Sequence, residues 1–184
     1  MMRPSPVTSW NQEAKIPSVD PGGFVDETAV LIGDVVVKDK AIVCPLAVLR
    51  ADEGSPIEIG EGSNVQDGVL MHCLMHSSIR VGKDCCLAHG AIVHGPCEVG
   101  DGTFVGFRAT LLKTRVGAGC FISHHALVLG VDLPEGRFVP PGAVVSTQED
   151  ADRLEPVTAA NREFVHEVLA VNAELVRGYL NQSR

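Results

Sequence analysis

The chain has 184 residues, of which 45% are hydrophobic and 4% aromatic, and its formal net charge is -8. That charge argues against nucleic acid and against an anionic membrane surface as partners, and no apolar run approaches the roughly 20 residues of a membrane helix. The length fits one core domain with small appendages.

Residues 1–22 read as an arm with several prolines and no repeat. The opening MMRPSPVTSW lacks the apolar stretch of a secretory signal, so a cytoplasmic location is expected.

From residue 23 to residue 146 an aliphatic residue recurs every six positions. The beat runs Val25, Leu31, Val37, Val43, Leu49, then Ile59, Val65, Met71. It resumes at Val81, Leu87, Val93, Val99, Val105, Leu111, then Val116, Ile122, Val128, and ends with Val139 and Val145. A hexapeptide beat predicts a parallel β-helix, and scarce aromatics suit its narrow interior. The residue two before each beat position is usually small. Cys85, Cys97 and Cys120 occupy that slot and read as corner fillers. There is no C-x-x-C pair, so a cysteine zinc site is not expected. Cys44, Cys73 and Cys86 remain unassigned.

Residues 147–184 change character. Thr147, followed by Gln-Glu-Asp, predicts a capped short helix that stops near Pro156. Thr158 begins a longer helix. Its Phe164, Val168, Val171, Leu175 and Tyr179 have helical spacing, so one face should pack on the β-helix.

The intervals Leu49 to Ile59 and Met71 to Val81 are ten residues rather than six, so each holds a four-residue corner loop. With three beats per coil, Leu49, Met71 and Val93 then lie on one face of successive coils. Their followers Arg50, His72 and His94 should form an outward column, about 4.8 Å per step. His89 follows Leu87 by two on another face, stacked on Asp67 and beside Gln66. Two faces of a triangular prism point apart, so His89 must come from a neighbouring subunit to join the other two. The spacing therefore predicts a homotrimer with a site at each interface. Three imidazoles with an open position make a catalytic metal site, where bound water ionises near pH 7. Hydration of carbon dioxide needs little else. Gln66 would orient the hydroxide, and Arg50 would pair with Asp67 across the interface. Spacing alone leaves stacked surface histidines without a metal as an open alternative.

Several segments resemble the γ-class carbonic anhydrases: Val48-Leu-Arg-Ala-Asp-Glu-Gly, Ser63-Asn-Val-Gln-Asp-Gly-Val-Leu-Met-His72, Leu87-Ala-His89-Gly-Ala-Ile-Val-His94-Gly-Pro, Gly100-Asp-Gly-Thr-Phe-Val-Gly and Pro140-Pro-Gly-Ala-Val-Val. The opening Pro6-Val-Thr-Ser-Trp-Asn resembles the arm of the prototype branch, so the resemblance spans nearly the whole chain. It implies a left-handed β-helix with a C-terminal helix, assembled as a trimer. It implies that His72, His89 and His94 hold zinc, with iron(II) or cobalt also suited, and that the substrates are carbon dioxide and bicarbonate. Gln66 would bond the metal-bound hydroxide, and Asn64 would line the carbon dioxide side. Arg50 and Asp67 would pair between subunits, Asp52 would join the polar network, and Trp10 matches an arm tryptophan near the site.

The chain departs from the prototype in two places. A long acidic loop after the first ligand, with a proton-shuttling glutamate, is reduced here to Cys-Leu-Met-His-Ser-Ser, and Met75 stands at the glutamate's place. His76 in that loop is a candidate shuttle, because imidazoles titrate near neutrality; an exposed loop residue is the alternative. A tyrosine near the prototype's site has no match, since Tyr179 is the only tyrosine. His124 and His125 read as surface or interface residues, and His166 as a helix-surface residue. Two alternatives to an anhydrase are a weak or inactive anhydrase-like scaffold protein and a hexapeptide acyltransferase.

Overall fold

The computed structural model describes residues 1–182. Every beat residue from Leu31 to Val145 points inward, and none is more than 3% exposed. Beat residues of successive coils stack directly: Val43 on Val65, then Leu87, Val105, Ile122 and Val139, each step a parallel strand pair. The result is a left-handed parallel β-helix with a helical segment alongside. One face is a seven-stranded sheet running from Phe24–Val25 to Phe138–Val139. The other faces share a thirteen-stranded sheet. Burial of stacked aliphatics, at roughly 1.5–3 kcal/mol per side chain, holds the coils together.

Cys85, Cys97 and Cys120 fill buried corner positions in this core, as the repeat predicts. The arm is tied to the coils at two points. Met2–Arg3 pairs with Val30–Gly33, and Ser18–Val19 pairs with Val35–Val37. The two strands end the thirteen-stranded sheet, and the second extends the beat into the arm: Val19, six residues before Val25, is in register with Val37 and packs on the core.

Helix α1 spans Gln148–Asp152, and Thr147 caps it by accepting the Asp150 N–H at 3.1 Å. Helix α2 spans Ala159–Gln182, and Thr158 Oγ1 accepts the Asn161 N–H at 3.2 Å. The face of α2 that packs differs from the stripe read from spacing. Val165 and Val176 are its buried residues, with Val168 and Leu169 beside Val165 against Phe104, Phe121 and Cys86. Phe164, Val171, Leu175 and Tyr179 lie along the rim, each at least 40% exposed. Phe164 meets Phe104 edge-on at 5.5 Å, and Tyr179 stacks on Phe24 at 4.7 Å. Among the described residues, no helix is long and apolar enough to cross a membrane.

Candidate metal centre

Strands Val48–Ala51, Leu70–His72 and Ile92–Val99 are parallel neighbours, with His72 in register with both Arg50 and His94. Their beat residues Leu49, Met71 and Val93 are fully buried, so the following side chains face outward. The column expected from spacing is therefore present, with two imidazoles brought together. His72 Nδ1 lies 3.2 Å from His94 Nε2, the rings edge to face at 5.1 Å.

The outer ring nitrogens decide what this pair can hold. Glu53 Oε1 lies 3.2 Å from His72 Nε2, and the Gly95 carbonyl oxygen lies 3.2 Å from His94 Nδ1. If both of these nitrogens carry protons and donate outward, two lone pairs face each other across the gap. They repel unless a cation lies between them. In the other tautomer, Arg50 Nη2 donates to His72 Nε2 at 3.3 Å, and Nδ1–H bridges to His94. The pair thus has one self-satisfied arrangement and one that needs a cation. Two nitrogens at 2.0–2.1 Å from a tetrahedral zinc ion stand roughly 3.3 Å apart, close to the separation here. The donor set fits a metal.

Carboxylates surround the pair. Asp52 Oδ2 accepts from Arg50 Nε at 3.1 Å, while Asp52 Oδ1 is buried and has no hydrogen-bond partner among the described residues. Glu53 Oε2 accepts the Met75 N–H at 2.8 Å, so one side chain braces His72 and pins the shortened loop. Glu53 was not singled out from the sequence. It stands three residues after Arg50 in the first quoted motif, and a metal-ligating histidine ordinarily donates its other nitrogen to such a carboxylate. His76 is exposed in the pinned loop, with a backbone φ of +59°. Trp10 is 56% exposed on the arm.

His89 sits on the other sheet's corner, in the next coil after Asp67, whose Oδ2 lies 2.8 Å from its Nδ1. Arg50 and Asp67 therefore each have a partner within the chain, and they lie on different faces. Gln66 is 7% exposed, and its Nε2 donates to Asn64 Oδ1 at 2.9 Å. Gln66 and His89 open onto two cavities of about 300 and 330 Å³ beneath α2. Phe104, Phe107 and Phe164 line the first; Asp67 and Cys44 line the second. Asn172 of α2 lines both and was also missed, because repeat spacing does not say which helix residue overlies which coil. His124 is not a free surface residue: its ring stacks on Phe107 at 4.2 Å and its Nδ1 accepts the Phe107 N–H at 2.9 Å. Phe107 in turn contacts the His89 ring at 5.2 Å. His125 is exposed.

The structure thus brings Arg50, Asp52, His72 and His94 together on one face, and Asn64, Gln66, Asp67 and His89 together on another. Among the described residues, no three His, Cys, Asp or Glu side chains of one chain are grouped to hold an ion. All six cysteines are free thiols. Burial pushes Cys44, Cys85 and Cys97 up to about 12 and Cys86 up to about 11. It raises Cys73 and Cys120 as well, so none of them is a ready thiolate.

No protein-family model matches the chain. The chain is 37% identical to a carbonic anhydrase of Methanosarcina thermophila, over 99% of its own length and 82% of that protein. It is 40% identical to the carboxysome assembly protein CcmM of a Nostoc species, over 96% of this chain but only 34% of CcmM. The chain therefore spans about a third of the assembly protein. Among solved structures, a hexapeptide transferase family protein of Anaplasma phagocytophilum superposes with a TM-score of 0.69 at 28% identity, covering 90% of this chain and 93% of that one. A Bacillus cereus protein described as a putative acetyltransferase superposes at 0.64 with 22% identity, covering 91% and 94%, a likeness of fold alone. The repeat, the motifs from Arg50 to His94 and the nearly full-length match to an anhydrase agree: this chain belongs to the γ-class carbonic anhydrase family.

Proposed function

We propose that the protein is a metal-dependent carbonic anhydrase that interconverts carbon dioxide and bicarbonate in the cytoplasm. Its metal would be held by His72 and His94 of one protomer and His89 of the next in a homotrimer. The observation that carries this reading is the His72–His94 pair, whose facing nitrogens in the Glu53-bonded tautomer call for a cation.

The surface around the pair supports the assembly. The outward column beside the histidines runs Val30, Val48, Leu70, Ile92, Thr110, Leu127, Val144. Below His94 the histidine column continues as Leu112 and Leu129. Leu70, Ile92, Leu129 and Val144 are each at least 36% exposed in the single chain, and a contiguous apolar face of this kind is a mark of an interface. His89 and Phe107 are exposed on a different face, available to a neighbour. Within the trimer Arg50 would exchange its Asp52 contact for Asp67 of the adjacent protomer.

When bound, zinc, iron(II) or cobalt would supply Lewis acidity that makes water a nucleophile near neutral pH. The chain's own residues do the rest. Gln66 donates to Asn64, which leaves its carbonyl oxygen to accept a hydrogen bond from the attacking water and so orient it. The phenylalanine-lined cavity takes up apolar carbon dioxide, with the Asn172 amide at its edge. Glu53 holds His72 against rotation. His76 would pass the released proton from the loop to buffer. Turnover limited by proton transfer in His76→Ala and restored by imidazole supports that role; unchanged kinetics removes it.

A second reading is an anhydrase-like scaffold domain with little activity, favoured by the 40% identity to a protein named for carboxysome assembly. Metal analysis of anaerobically purified protein, with stopped-flow hydration on the same sample, separates the two. About one metal per chain with rapid hydration supports the anhydrase. Trimers that bind no metal and hydrate no carbon dioxide support the scaffold.

A further inference from the structure

The outward column of the seven-stranded sheet runs Phe24, Ile42, Asn64, Cys86, Phe104, Phe121, Phe138. Five of the seven are hydrocarbon side chains. The two exceptions are adjacent and bonded: Asn64 Nδ2 donates to Cys86 Sγ at 3.2 Å. Both residues are fully buried. Cys86 belongs to a buried apolar cluster with Ala88, Phe104, Phe121, Val157 and Val165. The inner end of the Asn64 amide is thus anchored on sulfur. Its outer end, Oδ1, accepts from Gln66.

We infer that Cys86 is a positioning residue: its sulfur anchors the inner end of an Asn64–Gln66 amide chain and so holds the Gln66 carbonyl oxygen toward the cavity. This rests on the anhydrase reading for its catalytic consequence, but not for its structural one. The geometry explains why a weakly polar side chain stands among phenylalanines. A valine or phenylalanine at 86 would leave an amide N–H unpaired in an apolar pocket and remove what favours the present orientation of Asn64 over the turned one. Rotation presents Asn64 Nδ2 to Gln66 Nε2, donor against donor. Gln66 must then turn as well and offer the cavity an N–H in place of a carbonyl. Burial that raises the thiol to about 11 keeps sulfur neutral, so it accepts as a thiol and introduces no buried charge.

The test uses the metal-loaded full chain and three variants. Cys86→Val fills the position with hydrocarbon, one heavy atom larger than the thiol, and loses the hydrogen bond. Cys86→Ser keeps an acceptor and loses volume. Cys86→Ala loses both. Hydration kinetics should fall about tenfold in kcat for Val and Ala, the scale of one buried hydrogen bond, with metal content unchanged and KM little altered. Ser should recover most of the rate although it packs less well. A Val variant as fast as wild type, with Ser slow, would show that packing alone matters and overturn the inference. Side-chain amide resonances of Asn64 and Gln66, read by nitrogen-15 NMR, test the anchor without turnover. The Gln66 amide should shift in Val and stay near its wild-type position in Ser; an unmoved Gln66 amide in Val overturns the inference. A wild type that hydrates no carbon dioxide sinks the anhydrase reading, and the amide spectra still decide the anchor.

Discussion

Substitution of Glu53 probes the half of the site that one chain builds alone. One oxygen of its carboxylate faces His72 Nε2 at 3.2 Å, and the other accepts the Met75 N–H at 2.8 Å. Glu53→Gln offers a single neutral oxygen for these two contacts. A hydrogen bond to a charged group is worth roughly 1.5–3 kcal/mol, against about 1 for a neutral one. The side chain is 31% exposed, so solvent screens part of the difference, and about 1 kcal/mol remains. That is about fivefold in metal affinity. Glu53→Ala removes both contacts and frees the loop as well as the ring. Outer partners of ligating histidines typically contribute 10–100-fold in affinity, so the alanine variant should bind zinc about a hundredfold more weakly. Competition titration with a chromophoric chelator reads these constants, and circular dichroism checks the fold. Equal affinities for wild type, Gln and Ala would refute the idea that Glu53 prepares His72 for a cation.

Other consequences follow from the coils. Burial holds the thiols of Cys85 and Cys97 at about 12, against an ordinary value of 9.0. The unfolded chain loses these protons first, so their contribution is intact below about pH 9 and is lost as pH rises toward 12. Urea midpoints should fall over that window and fall less in Cys97→Ala; parallel curves for the two proteins would contradict the assignment. At Gly33, φ is +82° and an added Cβ would stand 2.1 Å from the Ala51 carbonyl oxygen. Gly33→Ala should therefore cost about 2–3 kcal/mol in urea unfolding, and a loss under about 0.5 would show that the corner relaxes.

The repeat made the core legible because each coil buries the same position, and one residue of slip would turn every aliphatic outward. The same arithmetic, with two four-residue loops counted, put Arg50, His72 and His94 in register and His89 over Asp67. Residues outside the period were harder to read. Glu53 reaches His72 from a corner loop whose path no repeat dictates. Asn172 reaches the cavities from α2, whose buried face is centred on Val165 and Val176 rather than on the stripe of Phe164, Val171 and Leu175. His124 looked like surface because its partner Phe107 is outward too, and only the coil spacing that stacks them shows the contact. The arm hid one more rung: Val19 stands six residues before Val25, in register with the beat residue Val37 and packed on the core, while Met2, in register with Leu31, is 54% exposed at the sheet's other end.

The central claim is that each metal site takes His72 and His94 from one protomer and His89 from another. Mixing His89→Ala with His72→Ala protomers, after separate purification, dissociation and reassembly, tests it directly. Neither variant alone should hold the metal at full affinity. Random trimers from equal parts should regain about a quarter of the wild-type sites, because three trimers in four are mixed and each mixed trimer rebuilds one interface of three. No recovery of metal or of hydration in the mixture, from trimers that demonstrably exchange, would contradict the account.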